Sequence, residues 1–126
     1  MNGFFIVFLG GGLGAMCRHG VNVLAAQLVG TRYPVGTFAI NVLGSLLIGV
    51  LAEWFAQRSH LSPYLRLFLI TGILGGFTTF SAFSLEVGLL HERGDTTAAV
   101  VYGIASVICA VGAMFGGMYA IRHFAS

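Results

Sequence analysis

Residues 71–86 place an unusual set of polar groups inside a hydrophobic segment. The stretch contains three glycines, five hydroxyl residues and one carboxylate, Glu86, within an apolar run long enough to cross a bilayer. In hydrocarbon every backbone N–H and C=O needs a partner, so an interruption at Gly75-Gly76 is tolerated only where protein buries it or where it lines a cavity. The sequence therefore predicts a polar, unwound point in a membrane protein, where an ion binds or passes.

Phe80 and Phe83 follow this interruption and lie on one face of a helix, because they are three residues apart. An aromatic pair at this spacing is more often part of a core. Here the pair alternates with Ser81 and Ser84, which favours a function. The edge of an aromatic ring carries positive partial charge, so two phenylalanine edges could solvate a small anion without offering it a full charge.

The second and fourth apolar segments each carry a polar stripe. Thr37, Asn41 and Ser45 follow one another at four-residue spacing, and Tyr102 and Ser106 do the same later in the chain. An amide such as that of Asn41 can serve as an interhelical hydrogen bond, worth about 0.6 kcal/mol on average in membranes. The stripe and the polar third segment together favour a pore-lining amide instead.

The elements that position these residues are four membrane-spanning helices. The chain has 126 residues, 57% hydrophobic and 8% charged, whereas soluble domains have about 25% charged residues. A spanning helix needs about 20 apolar residues, and four stretches satisfy this, at about 4–28, 35–56, 64–90 and 97–121. We expect residues 1–126 to form a single all-α membrane domain whose third helix is broken at mid-membrane.

Several other classes of function are excluded by the same sequence. The arginines are too dispersed for nucleic acid, the histidines form no ligand cluster, and no nucleophile and base pair indicates an enzyme. Residues 10–15 fit a dinucleotide pattern but lie in a membrane segment, so Gly10 and Gly14 are interpreted as a close-packing face. We interpret Cys17 and Cys109 as small packing residues without a disulfide. Without a basic region before it, the first segment should stay in the mature protein.

Two charged residues inside the spans have two interpretations each. A buried guanidinium costs at least about 2.5 kcal/mol, so Arg18 is either an interfacial anchor or part of a pore mouth. Glu86 either lies at the interface or closes the polar face at the end of the pore. Glycines at 112, 116 and 117 predict a second close-packing face on the fourth helix.

The arginines predict no single orientation. One side of the membrane would hold Arg58, Arg66 and Arg122, and the other Arg32 and Arg93, which is hardly a bias. We therefore expect the chain to insert both ways and to pair as an antiparallel, dual-topology homodimer. If the third helices crossed at the two-fold axis, carbonyl oxygens from both copies would converge there, and a dehydrated Na⁺ would neutralise them.

Three motifs carry a resemblance to a known family. Residues 75–84 closely resemble the G-G-x-T-T-F-S-T-F-S signature of the CrcB, or Fluc, fluoride ion channels, with Glu86 beyond it. Gly36-Thr37 followed by Asn41 resembles the G-T-x-x-x-N motif of that family, and Gly14-Ala15 with Arg18 resembles its G-A-x-x-R. The resemblance covers nearly the whole chain, and it departs at Ala82, where the family usually has threonine.

The resemblance implies an antiparallel homodimer in the bacterial plasma membrane, with two pores that export fluoride passively, lower its cytoplasmic concentration and reject chloride. It also implies a role for each site residue. Fluoride would contact Phe80 and Phe83, with Asn41 beside them, and would follow a polar track formed by Ser81, Ser84, Tyr102 and Ser106. Gly75 and Thr78 would give the backbone carbonyls for a central structural Na⁺. Possible pore-mouth residues are Arg18, Glu86 and Thr37.

Two rival interpretations belong to other classes. A proton-coupled small multidrug exporter has a similar length and also inserts both ways, but it needs a titratable carboxylate deep in the membrane. The first span has none, and Glu86 lies near the end of its span. In a non-transporting assembly subunit, the glycines and phenylalanines would serve packing alone, and purified protein in liposomes would move no anion.

Overall fold

The structure, a computed structural model, describes residues 2–125, and its regular elements over that range are all helices. Four of its segments are long and apolar enough to cross a membrane, and their bounds are Gly3–Val29, Val35–Ala56, Pro63–Glu92 and Thr96–Phe124. The first, second and last are the continuous helices α1, α2 and α6. The four predicted spans are confirmed, each within three residues at either end. Gly30 and Gly94 have positive φ in the turns after the first and third spans, a conformation that glycine adopts without strain.

The third span consists of several segments. Residues 63–77 comprise an α-turn Pro63–Arg66 (α3), a π-helical stretch Leu67–Leu74 and the short α4, Gly75–Phe77. Thr78 and Thr79 have extended dihedral angles, and α5, Phe80–Glu92, follows them. The helical geometry therefore stops at the two threonines.

The double glycine, where the sequence placed the interruption, is itself helical: Gly75 has φ −63° and ψ −36°, and Gly76 lies within α4. The predicted position was therefore wrong by about three residues. The physical reason is packing. A Cβ on Gly76 would meet the backbone of Gly11 in α1, so this glycine permits two helices to approach closely.

Glycines also close the interface between α1 and residues 63–77. A Cβ on Gly10 would lie 2.8 Å from the carbonyl oxygen of Phe68, and a Cβ on Gly14 would lie 2.8 Å from the nitrogen of Phe77. Both distances are shorter than a real side chain tolerates. The prediction that Gly10 and Gly14 form a close-packing face is confirmed.

Helices α2 and α6 form the other close pair. Gly49 faces the backbone of Met114, and Gly117 faces Leu46 and Val50. Gly112 and Gly116 have open space where a Cβ would be, so only one of the three predicted glycines packs within this chain. At one end of this pair, Glu53 and Arg122 form an ion pair with an N–O distance of 3.0 Å.

The two cysteines do not pack inside the chain. Cys17 and Cys109 are both free and both exposed on the outer surface of their helices. Their exposure gives no support to the interpretation of both as packing residues within the described part of the chain.

Candidate functional site

An open groove of about 280 Å³ lies where the helical geometry of the third span stops. Its wall combines the two extended threonines and both site phenylalanines with residues from α2 and α6. The lining comprises Asn41, Ser45, Thr78, Thr79, Phe80, Phe83, Ser106, Val107, Ala110 and Val111. Four of the seven residues predicted along the anion path therefore line one surface: Asn41, Phe80, Phe83 and Ser106.

Asn41 binds the backbone of Thr79 through both ends of its amide. Its Nδ2 donates to the carbonyl oxygen of Thr79, and its Oδ1 accepts from the N–H of Thr79, each at 2.9 Å. An extended residue inside a helical span leaves its backbone groups without their usual partners, and unpaired groups are costly in hydrocarbon. Asn41 thus satisfies both groups of Thr79 and joins α2 to the third span.

Because the N–H of Thr79 donates to Asn41, the carbonyl of Gly75 lacks the donor that it would have in a helix. In a continuous α-helix the N–H of Thr79 would donate to Gly75, but here it donates to Asn41. The carbonyl oxygen of Gly76, by contrast, accepts a side-chain hydrogen bond from Nε of Arg18 at 3.1 Å. Arg18 is half-buried, and its contact is with the backbone beside the interruption.

The extended pair also receives support from its own side chains. Thr79 begins α5, because its hydroxyl oxygen accepts from the N–H of Ala82 at 3.1 Å in the manner of an N-cap. The hydroxyl of Thr78 donates to the carbonyl oxygen of Leu74 at 2.9 Å. These contacts fix the geometry in which the span leaves one helix and enters the next.

Three aromatic rings lie in sequence beyond the interruption. The ring centroids of Phe80 and Phe83 are 5.5 Å apart, and those of Phe83 and Tyr102 are 5.2 Å apart, both pairs tilted. Phe80 is 75% exposed, whereas Phe83 is half-buried. The ring of Phe80 therefore presents most of its surface to whatever lies outside this single chain.

Ser106 carries the one buried side-chain oxygen without a hydrogen-bond partner among the described residues 2–125. The residue is 6% exposed and belongs to the groove lining. A buried hydroxyl usually finds a partner because leaving it unpaired costs about 1–3 kcal/mol. The hydroxyl of Ser106 therefore keeps its hydrogen-bonding capacity unused within the described chain, in a residue that lines the groove.

A second polar cluster lies one turn further along α5. The carboxylate of Glu86 accepts from the hydroxyl of Thr37 at 3.0 Å and from that of Tyr102 at 3.4 Å. Thr37 is almost completely buried, and Tyr102 touches Phe83 with its ring. The polar stripes of α2 and α6 therefore meet at Glu86, next to the aromatic rings of the groove.

Ser81, Ser84 and Gly75, which were also predicted for the site, lie outside the groove lining and the Glu86 cluster. Ser84 donates to the carbonyl oxygen of Phe80 in its own helix at 3.0 Å, and Ser81 lies 3.3 Å from the hydroxyl of Thr79. Both serines are exposed. Gly75 is exposed as well, and Thr78 is half-buried. No group of three or more histidine, cysteine or acidic residues that could hold a metal occurs among residues 2–125.

Sequence reasoning missed the central role of the Thr79 backbone and the apolar wall from α6, formed by Val107, Ala110 and Val111. A signal for Thr79 was present, since threonine is a favoured N-cap residue at the start of a helix. Nothing in the sequence marked the apolar wall as part of the site, because valine and alanine are common in every membrane helix.

Comparison with known proteins gives a consistent family. The family model described as "CrcB-like protein, Camphor Resistance (CrcB)" matches residues 5–118. A protein of Nitrobacter hamburgensis named "Fluoride-specific ion channel FluC 2" is 50% identical over 120 residues, which covers 95% of this chain and 97% of the relative. "Fluoride-specific ion channel FluC" proteins of Methylobacterium sp. and Granulibacter bethesdensis are 56% identical over 119 residues and 52% identical over 122 residues. These two alignments cover 94% and 97% of this chain, and 95% and 96% of the relatives.

The matches confirm the resemblance drawn from the three motifs, and with it the expectation that the chain is not an enzyme. Together with the four apolar spans, they identify an integral, multi-pass protein of the bacterial plasma membrane. The chain belongs to the CrcB-like family.

Proposed function

We propose that the chain forms a fluoride-selective channel through which fluoride leaves the cell passively, lowering its cytoplasmic concentration. The observation that carries the proposal is the groove beside Thr78 and Thr79, which combines two aromatic rings, an amide and an unpartnered hydroxyl. Ring edges and single hydroxyls attract a small anion weakly. Conduction requires such weak contacts, because an ion that binds too tightly does not leave.

The proposed path runs from the groove along Phe80 and Phe83 to the cluster of Thr37, Glu86 and Tyr102. The ring contact between Phe83 and Tyr102 joins the two regions. Ser106 offers its hydroxyl to the ion from α6. We further propose that Asn41 acts here mainly by holding the backbone of Thr79 in place, with its remaining amide hydrogen available to the ion.

The test is fluoride efflux from liposomes that contain the purified protein, compared with chloride efflux from the same preparation. We expect fluoride to leave down its gradient without a proton gradient, and chloride to leave at the rate of protein-free liposomes. Equal release of both anions, or release of neither, would contradict the proposal. The rival drug exporter is not favoured by the named relatives, and it would instead show uptake of a cationic dye driven by a proton gradient.

We also propose that the working unit is an antiparallel, dual-topology homodimer with its mid-membrane break at Thr78-Thr79. Two features support this. The arginine distribution gives almost no bias in orientation, and the groove is open on the side where Phe80 is 75% exposed. A second, inverted copy would cover that side and complete a pore wall for each chain.

A structural Na⁺ at the centre of this dimer is the third part of the proposal. The carbonyl of Gly75 has lost the donor it would have in a continuous helix, and Thr78 is extended beside it. Backbone carbonyls freed at an interrupted helix are typical Na⁺ ligands in membrane proteins. Replacing all Na⁺ by N-methylglucamine should dissociate the dimer or abolish fluoride efflux, and restoring Na⁺ should reverse the change. Full activity after complete exchange would contradict the Na⁺ site and leave the channel function standing.

A further inference from the structure

A cluster of cations lies where the first and third connections of the chain meet. Nη1 of Arg93 donates to the carbonyl oxygen of Arg32 at 2.6 Å. The guanidinium carbons of Arg32 and Arg93 lie 5.7 and 5.3 Å from the ring centroid of Tyr33. Cation–π contacts at these distances hold both guanidinium groups around one aromatic ring. Two positive charges are thus kept close together despite their mutual repulsion.

The same two arginines line a cavity of about 180 Å³ that reaches the end of the proposed ion path. Its lining comprises Thr31, Arg32, Pro34, Glu86, Leu89, Leu90 and Arg93. Both arginines are exposed, whereas Glu86 is half-buried. The carboxylate of Glu86 in turn contacts Thr37 and Tyr102. The cavity therefore connects exposed cations at the surface with the polar cluster inside the helices.

We propose that this cavity, here called the arginine portal and defined by Arg32, Arg93 and Glu86, is an entrance that collects small inorganic anions for the pore. The inference rests on the proposed channel function and adds a site to it. The portal lining itself carries two positive charges and one negative charge, and two hydroxyls already bind the carboxylate. Asp95, which accepts from the hydroxyl of Tyr33 at 3.5 Å, lies outside this lining but lines a neighbouring cavity with the same two arginines.

The portal raises the local concentration of anions and does not bind them tightly. Guanidinium groups exposed to water interact weakly with one hydrated fluoride, but their field raises the local anion concentration at the mouth of a narrow path. Such steering is screened by salt, with a Debye length of about 30 Å at 0.01 M ionic strength and about 3 Å at 1 M. The portal should therefore matter at low ionic strength and lose its effect at high ionic strength.

The test is the initial rate of fluoride efflux from vesicles of neutral phosphatidylcholine, at subsaturating fluoride, with the double variant Arg32→Gln/Arg93→Gln. At about 0.01 M ionic strength we expect a loss of about fourfold, roughly twofold for each charge removed, and at about 1 M almost none. Arg66→Gln removes the same charge from an exposed arginine outside the portal lining, and it should retain the wild-type rate. Arg32→Lys/Arg93→Lys keeps both charges and should restore most of the rate.

Three outcomes would overturn the portal. The first is a wild-type rate of fluoride efflux in the glutamine double variant at low ionic strength. The second is a loss of equal size at low and high ionic strength, because a misfolded variant would lose activity at both. The third is a loss that appears only in vesicles containing anionic phosphatidylglycerol, which would show that the arginines bind lipid headgroups. Absence of fluoride efflux from the wild-type protein would instead contradict the channel function itself.

Discussion

The two sides of the third span differ in how they meet their neighbours. On one side, residues 63–77 lie against α1 through Gly10, Gly14 and Gly76, with no room for an added Cβ. On the other side, Thr78, Thr79 and α5 border an open groove that faces α2 and α6. One side is packed backbone to backbone, and the other keeps polar groups accessible.

The two sides of the third span therefore serve different purposes. Close packing through glycines fixes the position of the backbone, so the interruption has a rigid support. The groove side offers hydrogen-bonding groups at fixed positions, among them Asn41, which also joins α2 to the third span. The contacts from Arg18 to Gly76 and from Asn41 to Thr79 lie at the boundary between the two.

The largest effect should come from breaking the packed side. A Cβ on Gly14 would meet the backbone at Ile73 and Phe77, whereas a Cβ on Gly12, two residues earlier in the same helix, would meet nothing within 4 Å. Gly14→Ala should therefore lower the free energy of unfolding by about 1–3 kcal/mol or more. Thermal unfolding and size-exclusion profiles in detergent would measure this. Gly12→Ala is the matched control and should match the wild type; equal behaviour of the two variants would contradict the packing account.

A smaller effect should follow at the boundary between the two sides. Asn41→Ala removes both hydrogen bonds to the backbone of Thr79 and leaves a partly buried N–H and C=O without these partners. We expect a loss of about 1–3 kcal/mol in unfolding free energy and a lower fluoride efflux rate. Ser45→Ala, one turn along the same helix and in the same groove, should cost less. If Asn41→Ala unfolds like the wild type, the amide does not support the interruption.

The smallest change in stability should come from the groove side. Ser106→Ala removes a buried hydroxyl that has no hydrogen-bond partner within the described chain, so no bond is lost. The unfolding free energy should stay within about 0.5 kcal/mol of the wild type or rise slightly. Fluoride efflux should nevertheless fall, because the ion loses a hydroxyl contact. A marked loss of stability with normal efflux would assign Ser106 to packing.

Hydropathy was sufficient to predict the four spans, because about 20 apolar residues bounded by polar turns have few other interpretations. The position of the interruption could not be read in the same way. Glycine weakens a helix in isolation, yet Gly76 is helical here because α1 lies against it. Whether a glycine breaks a helix or packs it depends on a neighbour that is distant in sequence.

The sequence named candidate residues for the site but not their contacts. The stripe of Thr37 and Asn41 was predicted as one polar face of α2, and both side chains contact the third span. The spacing of polar residues could not show that the amide of Asn41 would bind the backbone of Thr79. Nor could it show that the carboxylate of Glu86 would accept from both Thr37 and Tyr102. Those contacts depend on the crossing of three helices, which local patterns do not encode.

Fluoride efflux from liposomes that contain the Phe80→Ile or the Phe83→Ile variant tests whether fluoride passes the aromatic rings beside the interruption. An isoleucine fills similar space but has no positive edge to offer an anion. We predict that each variant keeps the oligomeric state of the wild-type protein and that each abolishes fluoride efflux. Wild-type efflux in both variants would show that the rings serve packing alone and would contradict the proposed path.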